Sequence, residues 1–134
     1  MKSKMITVLG LTLIAAGLTL GQSASDNEQA RLFADSILQL KDRGNYGQIY
    51  DLFIPELQGS RTKAEWVAYE ATVHSKLGTP KARSFDGVTA KGGIYRVAYI
   101  AEYQTFQAGD YVFVVNNGGW KVAGIRLVHP LKGQ

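Results

Sequence analysis

The residues of this 134-residue chain best equipped for chemistry are aromatic, and their spacing puts them on common faces. Trp66 and Tyr69 lie three apart in a stretch of helical period. Tyr95, Tyr99 and Tyr103 share one parity of an alternating stretch, and Trp120 opens the last apolar run. Phenol and indole side chains join a large apolar body to a single polar tip. That combination suits the wall of a small-molecule pocket, and it suits equally a core whose edge is wet. Tyr99 and Tyr103 are the first choices for polar contacts to a ligand, because they fall on the inner face of the longest expected strand, and Arg83 would add a positive group at the rim. The ligand-binding candidates are therefore Trp66, Tyr69, Arg83, Tyr99, Tyr103 and Trp120.

Catalytic and metal chemistry find less support. His74 and His129 are the only histidines, and a metal site built on them would need Asp or Glu ligands at compatible spacing, which the sequence does not offer. Both read as surface or boundary residues with no carboxylate placed to orient an imidazole. Asp51 and Glu56 could meet near one short helix, and Asp86 or Glu102 could enter the concave side of the sheet only if its faces were reversed. Charged side chains of this kind ordinarily stay in water. There is no Ser-His-Asp order, phosphate-cradling glycine loop or zinc-like spacing, and Gly92-Gly93 and Gly118-Gly119 read as turns. No catalytic residue, metal or cofactor is assigned.

The elements that must position these side chains divide at Pro80. Before it, Ala30, Phe33, Ala34, Ile37 and Leu38 recur three and four apart, which predicts an amphipathic helix from Asn27 to about Arg43, stopped by Gly44 and Asn45. Tyr46, Ile49, Tyr50 and Phe53 predict a second, shorter helix that Pro55 interrupts. Thr62 followed by Glu65 is a capping-box signature, and it opens a third helix with Trp66, Tyr69, Val73 and Leu77 on its buried face and Gly78 at its stop. After Pro80 the period changes to alternation. Strands are expected at Arg83 to Val88, Ile94 to Phe106, Tyr111 to Val115 and Trp120 to Val128, with a bulge or bend at Gly124. Tyr95, Val97, Tyr99, Ala101 and Tyr103 point inward, and Arg96, Ala98, Ile100 and Glu102 outward. Helices first and an antiparallel meander second make an α+β domain with its helices on one face of the sheet. A strand of about 13 residues would curl, giving a cone-shaped pocket.

Residues 1–25 give an address. Lys2 and Lys4 precede an apolar run from Met5 to Leu20, and the small and polar residues Gly21 to Ser25 follow, as in a secretory signal peptide; cleavage after Ser25 fits best and cleavage after Ser23 nearly as well. The run falls short of the ~20 residues that span a bilayer, so no stable membrane anchor is expected after cleavage. Residues 26–134 are then a single domain, exported to a periplasm or secreted, with no cysteine for a disulfide or a lipid. Two of the four net positive charges lie in the removed segment, at Lys2 and Lys4, and the other basic residues are dispersed among acids. Nucleic acid is not an expected partner, because its phosphates require clustered cations on one face.

Gly44-Asn45-Tyr46 after the first helix, Trp66 in the third, Leu77-Gly78 followed by Lys81 and Arg83, Tyr103 with Phe106, and Gly119-Trp120-Lys121-Val122-Ala123-Gly124 carry a resemblance to a known group. In these features the chain resembles the nuclear transport factor 2-like (SnoaL-like, cystatin-like) superfamily, and more narrowly the exported bacterial domain-of-unknown-function 4019 family. The resemblance implies a cone-shaped α+β fold but no particular reaction, since the superfamily includes isomerases, dehydratases, hydrolases and plain binding domains. Two functions are expected from these readings. One is a non-catalytic exported domain that binds a small apolar molecule or an envelope protein. The other is a cofactor-free acid/base enzyme with its site in the cone. The resemblance, together with Ala98 and Ile100 on the outer sheet face, also implies a homodimer.

Overall fold

A computed structural model describes residues 26–129. The expected signal segment and cleavage site, and the tail from Pro130, lie outside the described residues. Residues 26–42 are helical (α1) and turn the fully buried side chains of Ala30, Ala34 and Ile37 to the core. Gly44, at φ 77°, ends the helix in the left-handed conformation that glycine adopts without strain, and the Asn45 N–H returns to the Leu40 carbonyl at 2.9 Å.

Helix α2 (Tyr46–Asp51) buries Tyr46 and Ile49. Pro55 does more than interrupt the pattern: it stands at the first turn of a further short helix, α3 (Pro55–Gly59), where its missing N–H costs nothing. The chain therefore has four helices in the described region where the spacing predicts three. Between α2 and α3, Phe53 runs parallel to Val122, with the Val122 N–H donating to Leu52 at 2.7 Å and the Ile54 N–H donating to Val122 at 2.9 Å. Helix α4 (Lys63–Leu77) begins at the expected capping box, in which the Glu65 N–H donates to Thr62 Oγ1 at 3.1 Å and the Thr62 N–H to Glu65 Oε1 at 3.0 Å. It contains no fully buried residue.

Four antiparallel strands follow in chain order: β1 (Ala82–Lys91), β2 (Ile94–Glu102), β3 (Gln107–Asn116) and β4 (Trp120–Val128). The expected 13-residue strand is in fact two elements. Strand β2 stops at Glu102, and a tight turn closed by the Tyr103 N–H to the Phe106 carbonyl at 2.8 Å leads into β3, which starts four residues before its expected beginning at Tyr111. Curvature comes from irregularities instead of strand length. The register shifts between Phe85 and Gly87, and again between Phe113 and Val114, opposite Gly124.

The inner face has the expected parity, with Val97, Tyr99, Ala101 and Tyr103 buried beneath the helices beside Val112, Val114 and Val122. Each large aliphatic group so covered contributes about 1.5–3 kcal/mol relative to exposure. One row is unlike the others. Phe85, Tyr99, Asp110 and Leu127 stand side by side across the four strands, so a carboxylate sits in the middle of the core face.

Candidate functional site

Helices α3 and α4 do not close down on β4. The space between them is a cleft of about 330 Å³, at the small end of ligand-sized pockets. Its apolar wall is Phe53, Leu57, Trp66 and Ile125, and its polar groups are Ser60, Arg61 and Glu70 with Tyr50 and Tyr69. Trp66 is fixed by an edge-on contact with Phe53, ring centroids 4.9 Å apart, and by Tyr46 and Tyr50 at 6.2 and 6.5 Å. The Tyr50 hydroxyl lies 2.8 Å from the Gln58 carbonyl and 2.7 Å from that of Arg61, so its single proton ties α2 to the α3–α4 turn. Tyr69 is half exposed at 52%, and the Arg61 guanidinium lies over its ring at 4.8 Å. Glu70, not Tyr69, takes the inward position between Trp66 and Val73, which corrects the expected face of this helix.

Glu70 also borders a second, much smaller cavity of about 20 Å³, together with Lys41, Asp42, Tyr46, His74 and Tyr103. That is room for about one water molecule. Beyond it lies Asp110, wholly buried. Its Oδ2 accepts from Arg83 Nε at 3.1 Å; its Oδ1 receives no hydrogen bond, with Lys41 Nζ standing 3.5 Å away as an ionic partner. Arg83 completes the cluster with a two-pronged contact to Asp42, at 2.8 and 3.1 Å.

The charges shape each other. Burial pulls the Arg83 guanidinium down, but the hydrogen bonds to Asp42 and the charge of Asp110 more than offset this, so it stays firmly protonated. Burial, and then the Asp110 charge, push the Tyr103 phenol up to about 12. Burial also raises the Glu70 carboxyl above the usual carboxylate range, with Lys41 opposing and Asp110 reinforcing the effect.

The six candidates from the sequence are thus distributed over several places. Trp66 and Tyr69 line the 330 Å³ cleft. Arg83 and Tyr99 border a groove of about 290 Å³ with Arg31, Asp35 and Phe85, where the Tyr99 hydroxyl donates to Asp35 and burial, then that bond, raise its pKa. Arg83 is an interior structural cation, not a group standing at a rim. Tyr103 is nearly buried and stacks on Phe106 at 5.1 Å. Trp120 is spent on packing, against Phe33 at 6.2 Å and Tyr95 at 5.5 Å.

Among the acids weighed from sequence, Asp51 pairs with Lys63 at 2.9 Å on the surface, and Glu56, Asp86 and Glu102 are exposed. Both histidines are exposed; His129 Nδ1 lies 3.2 Å from the Gln107 carbonyl. Among the described residues, no group of three or more His, Asp and Glu stands close enough to hold a metal ion, and no helix is long and apolar enough to cross a membrane. Asp110, Lys41 and Glu70 are the residues that sequence reasoning passed over. A search against models of known protein families and a search of curated proteins find no match to this chain.

Proposed function

We propose that this protein is a non-catalytic binding domain whose ligand is a small amphipathic molecule held in the cleft between α3, α4 and β4. The observation that carries the reading is the cleft itself: about 330 Å³, walled by Phe53, Leu57, Trp66 and Ile125, with its few polar groups gathered at Arg61 and Glu70. Sites for small molecules have this mixture of apolar wall and sparse polar anchors. The protein is exported, on the pattern of Lys2 and Lys4 before the run from Met5 to Leu20, and it belongs with the nuclear transport factor 2-like proteins on the residues that carry that resemblance. It pairs as a homodimer through the outer sheet face, where Tyr111 and Phe113 are half-buried in one copy. An envelope protein is the alternative occupant of that face.

Native mass spectrometry of the protein recovered from its own cells tests this reading. A reproducible added mass, lost in Trp66→Ala, is the expected result; a bare mass in both proteins overturns it. A monomer at high concentration overturns the dimer.

One observation favours a second reading, a cofactor-free acid/base enzyme. Glu70 is a carboxyl on the cleft wall whose affinity for protons is raised by burial, as general acids and bases require.

A further inference from the structure

Five ionisable groups meet beneath the cleft, and Arg61 faces one of them, Glu70, from the cleft side. Asp42, Asp110 and Glu70 are acids; Lys41 and Arg83 are bases. Asp42 and Asp110 both have a cation within ion-pairing distance. Glu70 has none among the described residues, although Lys41 and Arg61 influence it from farther away. Partial burial without a cation in ion-pairing distance favours the neutral form of the Glu70 carboxyl. The other polar groups around Glu70 add no cation within ion-pairing distance among the described residues. Tyr46 from α2 and Tyr103 beside β2 are neutral phenols, and His74 one turn along α4 is exposed.

Arg61 has no ion pair with any described carboxylate, and Glu65, its neighbour in sequence, is engaged in the capping box with Thr62. The Tyr69 ring fixes the plane of the guanidinium by stacking, which leaves its N–H edge free to bind. When Glu70 is neutral, the Arg61 guanidinium is the charged group that lines the cleft, set against an aromatic and aliphatic wall.

We propose that the cleft takes a small amphipathic carboxylate, its anionic end on Arg61 and its apolar body against Leu57, Trp66 and Ile125. This rests on the cleft being the binding site, as argued above. The protonated Glu70 would donate a hydrogen bond to the same anion; once ionised, it would repel it. Affinity should therefore fall as pH rises through the range where Glu70 loses its proton.

The test measures binding of octanoate, octanol and octylammonium to the purified protein by calorimetry, in mildly acidic and mildly alkaline buffers. The expected result is octanoate bound about tenfold more tightly than octanol in mild acid, as one charge-assisted hydrogen bond allows. Octylammonium should bind most weakly. Arg61→Gln should reduce octanoate to the level of octanol, while Arg61→Lys keeps part of the preference. Glu70→Gln should retain octanoate binding and lose the decline with pH. Binding that requires Trp66 but shows no preference for the anion overturns the ligand class and leaves the cleft standing. Equal decline with pH in Glu70→Gln and wild type overturns the role of Glu70. If none of the three probes binds, or binding ignores Trp66→Ala, both the ligand class and the cleft reading fall.

Discussion

Replacing Asp110 with asparagine would keep the shape of a wholly buried side chain while deleting its charge. The amide oxygen could still accept from Arg83 Nε, now at 3.1 Å, and Arg83 would keep both contacts to Asp42. Lys41 would fare worse. Its ammonium, only 15% exposed, would lose the carboxylate 3.5 Å away and stay largely desolvated beside a neutral amide. Removing one partner of a buried pair costs about 3–5 kcal/mol, and the retained Arg83 contact moves the expectation to the low end, about 3 kcal/mol. For a domain of this size that is about 10–20 °C in Tm. Urea unfolding followed by the fluorescence of Trp66 and Trp120 reads both ends of the core. The control is Asp42→Asn, whose side chain is 31% exposed and whose loss leaves Arg83 its Asp110 partner; about 1 kcal/mol is expected there. Adding Lys41→Met to Asp110→Asn should recover part of the loss, because the stranded charge is then gone. A cost below about 1 kcal/mol for Asp110→Asn, or no recovery in the double variant, would refute the account of Asp110 as the anionic centre of the core.

Other outcomes follow from the same geometry. Because folding raises the Glu70 pKa, its contribution to stability is complete below the ordinary glutamate range and is lost as pH rises through the folded value; Glu70→Gln should match wild type in acid and unfold at higher urea in mild alkali. Thr62→Ala removes half of the capping box and should cost about 1 kcal/mol, read by the same urea titration. Gly78→Ala places a side chain in open space at φ 74° and ψ −173°, a backbone conformation essentially confined to glycine, so strain alone acts and about 3 kcal/mol is expected. In an ultraviolet alkaline titration, Tyr46, Tyr99 and Tyr103 should ionise later than free tyrosine, since burial raises each of them.

The alternation that placed Tyr99 and Tyr103 inward was readable because the side-chain period of a strand is fixed by the backbone. Thr62 and Glu65 were readable because a capping box is local: both partners lie within one turn. Asp110 was not found, although it has the same parity as Val112 and Val114. A charge in front of an apolar run looks like the end of a strand, and the cations that make it tolerable come from positions 41 and 83, far away in sequence. Glu70 failed for a related reason. Its spacing from Trp66 and Val73 is that of a core position, but Tyr69, one residue earlier, is the more apolar choice on composition. The turn at Tyr103 was hidden because its aromatic residues continue the alternation of β2, and only the hydrogen bond to Phe106 separates turn from strand.

The open sheet has two edges, and the chain treats them differently. Along β4, the segment between α2 and α3 lies on Val122 as a short parallel partner and takes up its N–H and C=O. Along β1, the register shift at Phe85/Gly87 kinks a strand that would otherwise offer a straight row of free amides. Both devices deny a second chain a flat template for strand addition. With its two edges occupied or kinked in this way, the sheet is kept from becoming the seed of an aggregate.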